Sequence, residues 1–188
     1  SFDDEALRFM NRRHTAEQAE EAVRRLRAHG IDNISIDIIF GIAGFGGEAL
    51  SETLRRAIAL DVGHISAYHL TVEENTRLGV LTRRGEYTPV DEATSETEFL
   101  AVHRALTEAG YEHYEISNFA LPGYRSRHNG AYWKGTPYLG IGPGAHSYDG
   151  SNRRSWNPPT IGSYLGGAGE KKESLSQEEL YDECVMVR

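Results

Sequence analysis

Two parts of this sequence place polar and aromatic side chains where they could bind a ligand. The first is an apolar segment, residues 34–40, which Asp37 interrupts with a carboxylate. A carboxylate buried in a strand costs free energy unless a donor pairs with it. We therefore expect either a structural aspartate held by a salt bridge or an acceptor for a ligand hydroxyl, such as that of a ribose. The residues alone favour neither.

The second part is rich in hydrogen-bonding and aromatic side chains: His128, Asn129, Tyr132, Trp133 and, further along, His146. Glycines alternate within residues 138–148, which predicts a strand that a ligand or another backbone can approach closely. Because aromatic side chains stack on flat rings, the pattern indicates a surface for a flat aromatic ligand. The alternative is a packed loop in which His128 and Asn129 serve as caps.

Other candidate residues have structural explanations that are at least as good. Residues 41–47 form a glycine-rich loop before a helix, which could cradle an anion, but no Lys-Ser or Lys-Thr follows and a plain turn is favoured. Arg12 ends an early helix, where a cation is favourable without a ligand; a carboxylate-binding arginine is the alternative. The histidines lack the spacing of a metal-binding pair, and the sequence has no G-x-S-x-G nucleophile elbow.

Alternating helices and strands must position these residues. A capping box, Thr15 with Gln18, begins a helix that Gly30 ends. Two further helices and three strands follow, with the helices at 48–60 and 91–109 and the strands at 34–40, 64–70 and 111–119. This alternation predicts a parallel α/β sheet or barrel whose strands lie side by side in chain order. In such folds ligands bind at the carboxyl ends of the strands.

The character of the sequence changes after residue 119. Residues 120–167 are rich in Gly, Pro, Tyr, Trp and Arg, which indicates a functional elaboration rather than a plain connection. A second capping box, Ser176 with Glu179, begins a helix that includes Leu180, Cys184 and Val187. We therefore expect three parts: residues 1–119, 120–167 and 168–188, the last being a linker and the start of a helix.

Composition excludes several classes of protein. The 188 residues include 20 Lys and Arg against 28 Asp and Glu, a formal net charge of −8, which argues against a general nucleic-acid binder. No apolar run reaches the roughly 18–20 residues of a membrane-spanning helix, and the acidic start is not a signal peptide. Cys184 is the only cysteine. It excludes an all-cysteine metal site within these residues and favours a reducing, cytoplasmic setting.

Several motifs resemble a known family. The Asn11-Arg12 pair, residues 33–41 and residues 64–73 are similar to the radical S-adenosylmethionine proteins of the oxygen-independent coproporphyrinogen III oxidase family. Y-E-I-S-N-F-A at 114–120 and H-N-x-x-Y-W at 128–133 resemble the heme-chaperone (HemW-like) branch of that family. The resemblance covers essentially the whole chain, and these last two motifs are its most specific part.

The resemblance implies a fold and a missing segment. Members begin with a C-x-x-x-C-x-x-C loop that binds a 4Fe-4S cluster, and this chain has no such motif. We therefore expect a fragment: the later part of a partial (β/α) TIM-like radical SAM barrel, over residues 1–119, followed by a loop-rich, family-specific region. A C-terminal domain would follow the last helix.

The resemblance also implies site residues. Arg12 and Asp37 match family positions that contact S-adenosylmethionine, which tips the interpretation of Asp37 towards a functional role. His128, Asn129, Tyr132 and His146 become candidates for binding heme or a porphyrin substrate. The turn after Asp37 departs from the family pattern, since Gly-Ile-Ala-Gly-Phe-Gly-Gly replaces Gly-Leu-Pro-x-Gln-Thr.

Three functions are therefore expected to compete. The first is a heme chaperone that transfers heme to acceptor proteins in the cytoplasm, with S-adenosylmethionine and a 4Fe-4S cluster in the full-length protein, no nucleic-acid partner, and room for peripheral membrane contact. The second is an oxidase that decarboxylates coproporphyrinogen III. The third is a folding module that has no activity by itself.

Overall fold

The computed structural model describes residues 1–186 and divides the chain into two compact units, Ser1–Arg125 and Ser126–Arg188. The predicted position of Val187 lies outside the described residues. The predicted three-part division at 119/120 and 167/168 stays a prediction. Among residues 1–186, no helix has both the length and the apolar character needed to cross a membrane.

The first unit contains five helices and four strands over its described length. Its helices are α1 Asp4–Phe9, α2 Ala16–Ala28, α3 Glu48–Ala59, α4 Arg77–Arg83 and α5 Glu92–Glu108. Its strands are β1 Ser35–Phe40, β2 His64–His69, β3 Glu112–Glu115 and β4 Asn118–Ala120.

Local capping explains where the main helices begin. Thr15 and Gln18 form the predicted reciprocal capping box at the start of α2. The carboxylate of Asp91 accepts a hydrogen bond of 2.7 Å from the backbone of Thr94 at the start of α5. Gly110 follows α5 with a φ of 92°, a left-handed conformation that glycine adopts at little cost. The predicted positions of these helices are confirmed.

The four strands form one sheet in the order β1-β2-β4-β3. β1 and β2 are parallel, as predicted, but β4 pairs antiparallel with both β2 and β3. The prediction of one strand over residues 111–119, in chain order, is therefore wrong. The chain reverses at Ile116, whose side chain is 75% exposed. The turn was not predicted because Ile116 is apolar and continues the alternating pattern that is typical of a strand.

One face of this sheet packs against the helices. Ile38, Ile65 and Phe119 are at most 1% exposed and belong to a single apolar cluster. Leu54 from α3 and Leu106 from α5 join the same cluster. Burial of these side chains stabilises the unit and leaves the opposite face of the sheet free to carry polar groups.

The second unit is built from short elements. Its helices are α6 Arg127–Trp133, α7 Ile161–Leu165 and α8 Gln177–Met186, and its strands are β5 His146–Tyr148, β6 Arg153–Trp156 and β7 Lys171–Ser174. The strands form an antiparallel sheet in the order β5-β6-β7. The predicted capping box of Ser176 and Glu179 begins α8.

The predicted glycine-rich strand over residues 138–148 is wrong in its middle. Tyr138 bridges Tyr148, and only residues 146–148 form a strand. A Cβ at Gly140 would lie 2.6 Å from the carbonyl carbon of His146. Glycine is therefore needed for a close approach of the chain to itself, not to a ligand.

Candidate functional site

A row of polar side chains crosses the sheet of the first unit. Asp37 on β1 lies opposite Ser66 on β2, Ser66 lies opposite Asn118 on β4, and Asn118 lies opposite Glu115 on β3. Residues that pair across strands share a face, so these four side chains, here called the polar row, lie on the face opposite the apolar cluster. A row of polar side chains on one face of a sheet can hold a hydrogen-bonding ligand.

Asp37 is exposed, which corrects the expectation that it is buried. The reason is that β1 lies at the edge of the described sheet, so nothing covers Asp37 from that side. No ion pair joins it to another residue within positions 1–186. Asp37 is therefore not the structural aspartate in a salt bridge that the sequence left open.

Asn118 lies in the middle of the polar row and is only 4% exposed. Its side-chain amide donates to Oε1 of Glu115, and because a carboxylate only accepts, this bond fixes which end of the amide is nitrogen. Its carbonyl oxygen Oδ1 is buried and has no hydrogen-bond partner among the described residues. An unsatisfied buried acceptor costs about 1–3 kcal/mol, so Asn118 has an unused capacity to accept a hydrogen bond.

His64 lies beside the polar row, in the part of the sheet nearest to Ser35. Its Nδ1 is 2.7 Å from Oγ of Ser35 and its Nε2 is 2.8 Å from the hydroxyl of Tyr114. Burial lowers the pKa of His64, and the nearby carboxylate of Asp37 partly opposes this effect. The imidazole therefore links two hydroxyl groups, and its pKa responds to the charge of Asp37.

Arg12 follows Asn11, whose φ of 57° turns the chain after the early helix. Arg12 is exposed. Burial, and to a smaller extent the positive charge of Arg12, lowers the pKa of the amino group of Ser1 to about 6. Ser1 and Asp37 line the same groove. Neither Arg12 nor Asp37 forms an ion pair with another described residue.

The glycine-rich loop at 41–47 binds a carboxylate from its own chain. The backbone amide of Gly41 donates to Oε2 of Glu98 on α5 at 2.8 Å, and Glu98 is buried. The backbone amide of Ala43 donates to the hydroxyl of Tyr87 at 3.3 Å. Two backbone amides of the loop thus already donate to acceptors within the chain, which favours the interpretation as a turn.

The H-N-x-x-Y-W residues lie on α6 in the second unit. The four-residue spacing places His128 and Tyr132 on one face of the helix, as expected. A hydrogen bond of 3.1 Å joins the Tyr132 hydroxyl to Nε2 of His128. Asn129 serves the helix start, because its backbone amide donates to Oγ of Ser126. His128 and Tyr132 therefore act as a unit, and Trp133 beside them is 49% exposed.

His146 lies on β5 and has a different set of neighbours. Its ring stacks on Trp156 with centroids 5.6 Å apart and an angle of 16°. The contacts of His146 and those of His128 have no residue in common. The structure therefore brings His128 and Tyr132 together but does not group His146 with them.

An open cavity of about 690 Å³ lies next to Tyr132 in the second unit. Its lining includes the aromatic residues Tyr132, Trp133, Tyr138 and Tyr148. Arg154 and Glu183 also line it and form a bidentate ion pair at 2.6 and 2.7 Å. The cavity therefore has aromatic walls of the kind that a planar ligand can pack against.

Sequence reasoning missed Asn118, Glu115 and Glu98 as parts of these sites. Asn118 and Glu115 lie within Y-E-I-S-N-F-A, but the motif by itself does not show that their side chains form a hydrogen bond. Their separation of three residues places them on opposite faces of a continuous strand. Only the turn between β3 and β4 brings the two side chains together.

Comparisons with known proteins define the class. A model of the Radical SAM superfamily matches residues 1–57. The chain also superimposes on coproporphyrinogen III oxidase (HemN) from Escherichia coli, described as a radical SAM enzyme, with a TM-score of 0.76 and 18% identity. The superposition covers 99% of this chain and 46% of that one, and it shows the fold. Residues 1–57 therefore match the Radical SAM superfamily, and the sheet with its helices fits a part of a TIM-like barrel.

Three curated relatives define the branch. Heme chaperone HemW from Bacillus subtilis is 37% identical over 99% of this chain and 51% of its own length. HemW from Mycobacterium tuberculosis H37Rv is 35% identical over 97% and 48%, and HemW from Escherichia coli K12 is 38% identical over 78% and 38%. The chain is similar to the HemW branch of the radical SAM proteins over nearly its whole length. It spans about half the length of the curated relatives it matches.

Proposed function

We propose that the chain is part of a heme chaperone that binds heme and passes it to acceptor proteins in the cytoplasm. The observation that carries the proposal is the hydrogen-bonded pair of His128 and Tyr132 beside the aromatic cavity. Imidazole is a common axial ligand of heme iron and tyrosinate is a rarer one. The names of the HemW relatives support the same function.

The polar row fits S-adenosylmethionine as a cofactor. This molecule presents ammonium, hydroxyl and amino donors, and the buried Oδ1 of Asn118 is an acceptor without a partner among the described residues. Asp37 would accept a second hydrogen bond from the cofactor, and Arg12 would bind its carboxylate. When bound, the cofactor supplies a 5′-deoxyadenosyl radical after one-electron reduction; the protein holds and orients it.

The residues of this chain do not fit the 4Fe-4S cluster. Such clusters require several thiolates, and the chain has one cysteine, Cys184, which is exposed on α8. The cluster is therefore proposed only for the full-length protein.

The isolated chain is expected to purify colourless and free of iron, because a single thiolate cannot replace the set of thiolates that a cluster needs. Iron and acid-labile sulfide are measured after anaerobic reconstitution with iron and sulfide. Cys184→Ser serves as the control and is expected to give the same background values. A near-stoichiometric cluster on the wild-type chain would contradict the expectation.

His128→Ala is expected to weaken heme binding by about tenfold, the size of effect seen when a residue that orients a metal ligand is removed. Whether His128 or Tyr132 contacts the iron, the substitution breaks the bond that links them. Titration of the full-length protein with hemin, followed by the Soret absorbance, measures the dissociation constant.

His103→Ala is the matched control for His128→Ala. His103 lies on α5 in the first unit, where its Nδ1 is 2.9 Å from Nδ1 of His113. Its removal is expected to leave heme affinity unchanged. Equal affinity of the wild type and His128→Ala would remove His128 from the heme site and transfer the assignment to His146.

The second candidate function is oxidation of coproporphyrinogen III, which the structural likeness to the Escherichia coli oxidase favours. Anaerobic incubation of the full-length protein with coproporphyrinogen III and S-adenosylmethionine separates the two functions. Conversion of two propionates to vinyl groups would support the oxidase. Hemin binding without that product supports the chaperone. A chain that does neither would be a folding module without its own activity.

A further inference from the structure

The cavity of the second unit has walls from separate parts of the chain. Tyr132 and Trp133 come from α6, Tyr148 from β5, and Leu180 from α8. Its volume of about 690 Å³ falls within the roughly 300–1,000 Å³ of small-molecule sites. Only Tyr132 and Trp133 of these four belong to the H-N-x-x-Y-W motif, so the motif alone does not define the cavity.

We propose that this cavity is the seat of the porphyrin ring, that α8 forms one of its walls, and that Lys134 binds a carboxylate of the ring. The inference rests on the proposed heme binding and adds the location and the selectivity of the site. The occupant is a planar macrocycle with ionised carboxylates, such as heme with its propionates.

The aromatic walls favour a planar occupant. The ring of Tyr132 meets that of Tyr138 edge-on, with centroids 4.8 Å apart, and Tyr138 lies 6.2 Å from Tyr148. The guanidinium of Arg154 lies 5.5 Å from the centre of the Tyr148 ring. These contacts hold the aromatic side chains in place before a ligand arrives, so less side-chain entropy is lost on binding.

Charge distinguishes Lys134 from the other cation that lines the cavity. Arg154 is neutralised by its bidentate pair with Glu183. Lys134 is exposed and has no ion pair within the described part of the chain. An uncommitted ammonium beside an aromatic cavity is complementary to a carboxylate on a flat ligand.

Tyr132 connects the cavity to the proposed heme residues. Tyr132 lines the cavity, and its hydroxyl is hydrogen-bonded to Nε2 of His128 at 3.1 Å. One residue thus contacts both the cavity and the imidazole. This continuity is the reason for assigning the cavity to heme rather than to an unrelated aromatic ligand.

The experiment measures dissociation constants of the chain for hemin and for hemin dimethyl ester, which lacks ionised carboxylates. Leu180→Trp places a larger side chain in the cavity from α8 and is expected to weaken the binding of both ligands about tenfold or more, because the indole would occupy space that the ring needs. Leu165→Trp on α7, where Leu165 is 77% exposed and does not line the cavity, is the matched control and is expected to change neither value.

Lys134→Met is the second variant. Because Lys134 is exposed, the substitution is expected to leave the fold intact. It is expected to weaken the binding of hemin by about threefold, which corresponds to the loss of an exposed ion pair, and to leave the binding of the ester unchanged. Lys171→Met on β7 is the control and is expected to affect neither ligand. Thermal unfolding of each variant without ligand verifies that the fold is retained.

The outcomes separate this inference from the proposed function. Absence of hemin binding by the wild-type chain would overturn both. The cavity assignment would be overturned, while heme binding stands, by two results together. These are an unchanged affinity for hemin in Leu180→Trp and equal losses of affinity for hemin and for the ester in Lys134→Met. Weakening of both ligands by Leu180→Trp, with a loss confined to hemin in Lys134→Met, supports the proposal.

Discussion

In the full-length protein, Asp37→Ala and Arg12→Ala are each expected to weaken S-adenosylmethionine binding about ten- to hundredfold, since each removes one charge-assisted hydrogen bond. Both side chains are exposed and neither pairs with another described residue, so their removal should leave the fold intact. Isothermal titration calorimetry with the cofactor measures the effect. Unchanged affinity in both variants, with the fold retained, would contradict the proposed roles.

Asp37→Asn provides a control that reports on the same position without the cofactor. The carboxylate of Asp37 raises the pKa of His64, against the larger lowering by burial. Loss of the charge should therefore lower the pKa of His64 further, as an NMR titration of the imidazole would measure. Asp32→Ala, in the exposed turn before β1, is the matched carboxylate substitution and should leave cofactor binding unchanged.

Gly41→Ala is expected to lower the free energy of unfolding by about 2–5 kcal/mol. Gly41 has a φ of 75°, in the left-handed region that costs a residue with a side chain about 1–2 kcal/mol. An added Cβ would also lie 2.6 Å from Cδ2 of His69. A hydrogen bond of 3.0 Å to Ser95 and an edge-on contact with Phe40 hold that ring in place, and the added methyl group would have to displace it.

Gly44→Ala separates these two contributions. Gly44 lies in the same loop with a φ of 87°, and nothing lies within 4 Å of an added Cβ. Only the backbone cost of about 1–2 kcal/mol is expected there. Urea unfolding followed by circular dichroism measures both variants. Equal destabilisation of the two would show that the contact with His69 adds nothing.

The local sequence was sufficient wherever an interaction spans a few residues. The capping boxes at Thr15 and Ser176 place α2 and α8, because donor and acceptor are separated by three residues in the chain. The same reason explains why the spacing of His128 and Tyr132 predicted a shared helix face. The motifs also identified the branch, which the relatives then confirmed.

Tertiary structure alone decided what depends on register and chain direction. The reversal at Ile116 makes β4 antiparallel and brings Asn118 between Ser66 and Glu115, so a buried acceptor is left without a partner among the described residues. The placement of α8 along the aromatic cavity likewise depends on contacts between residues far apart in sequence, such as Arg154 with Glu183. The alternation of side chains along a strand is the same in parallel and antiparallel sheets, and it does not specify how two strands are aligned. The sequence therefore predicted the helices and most of the strands, whereas packing determined which side chains share a site.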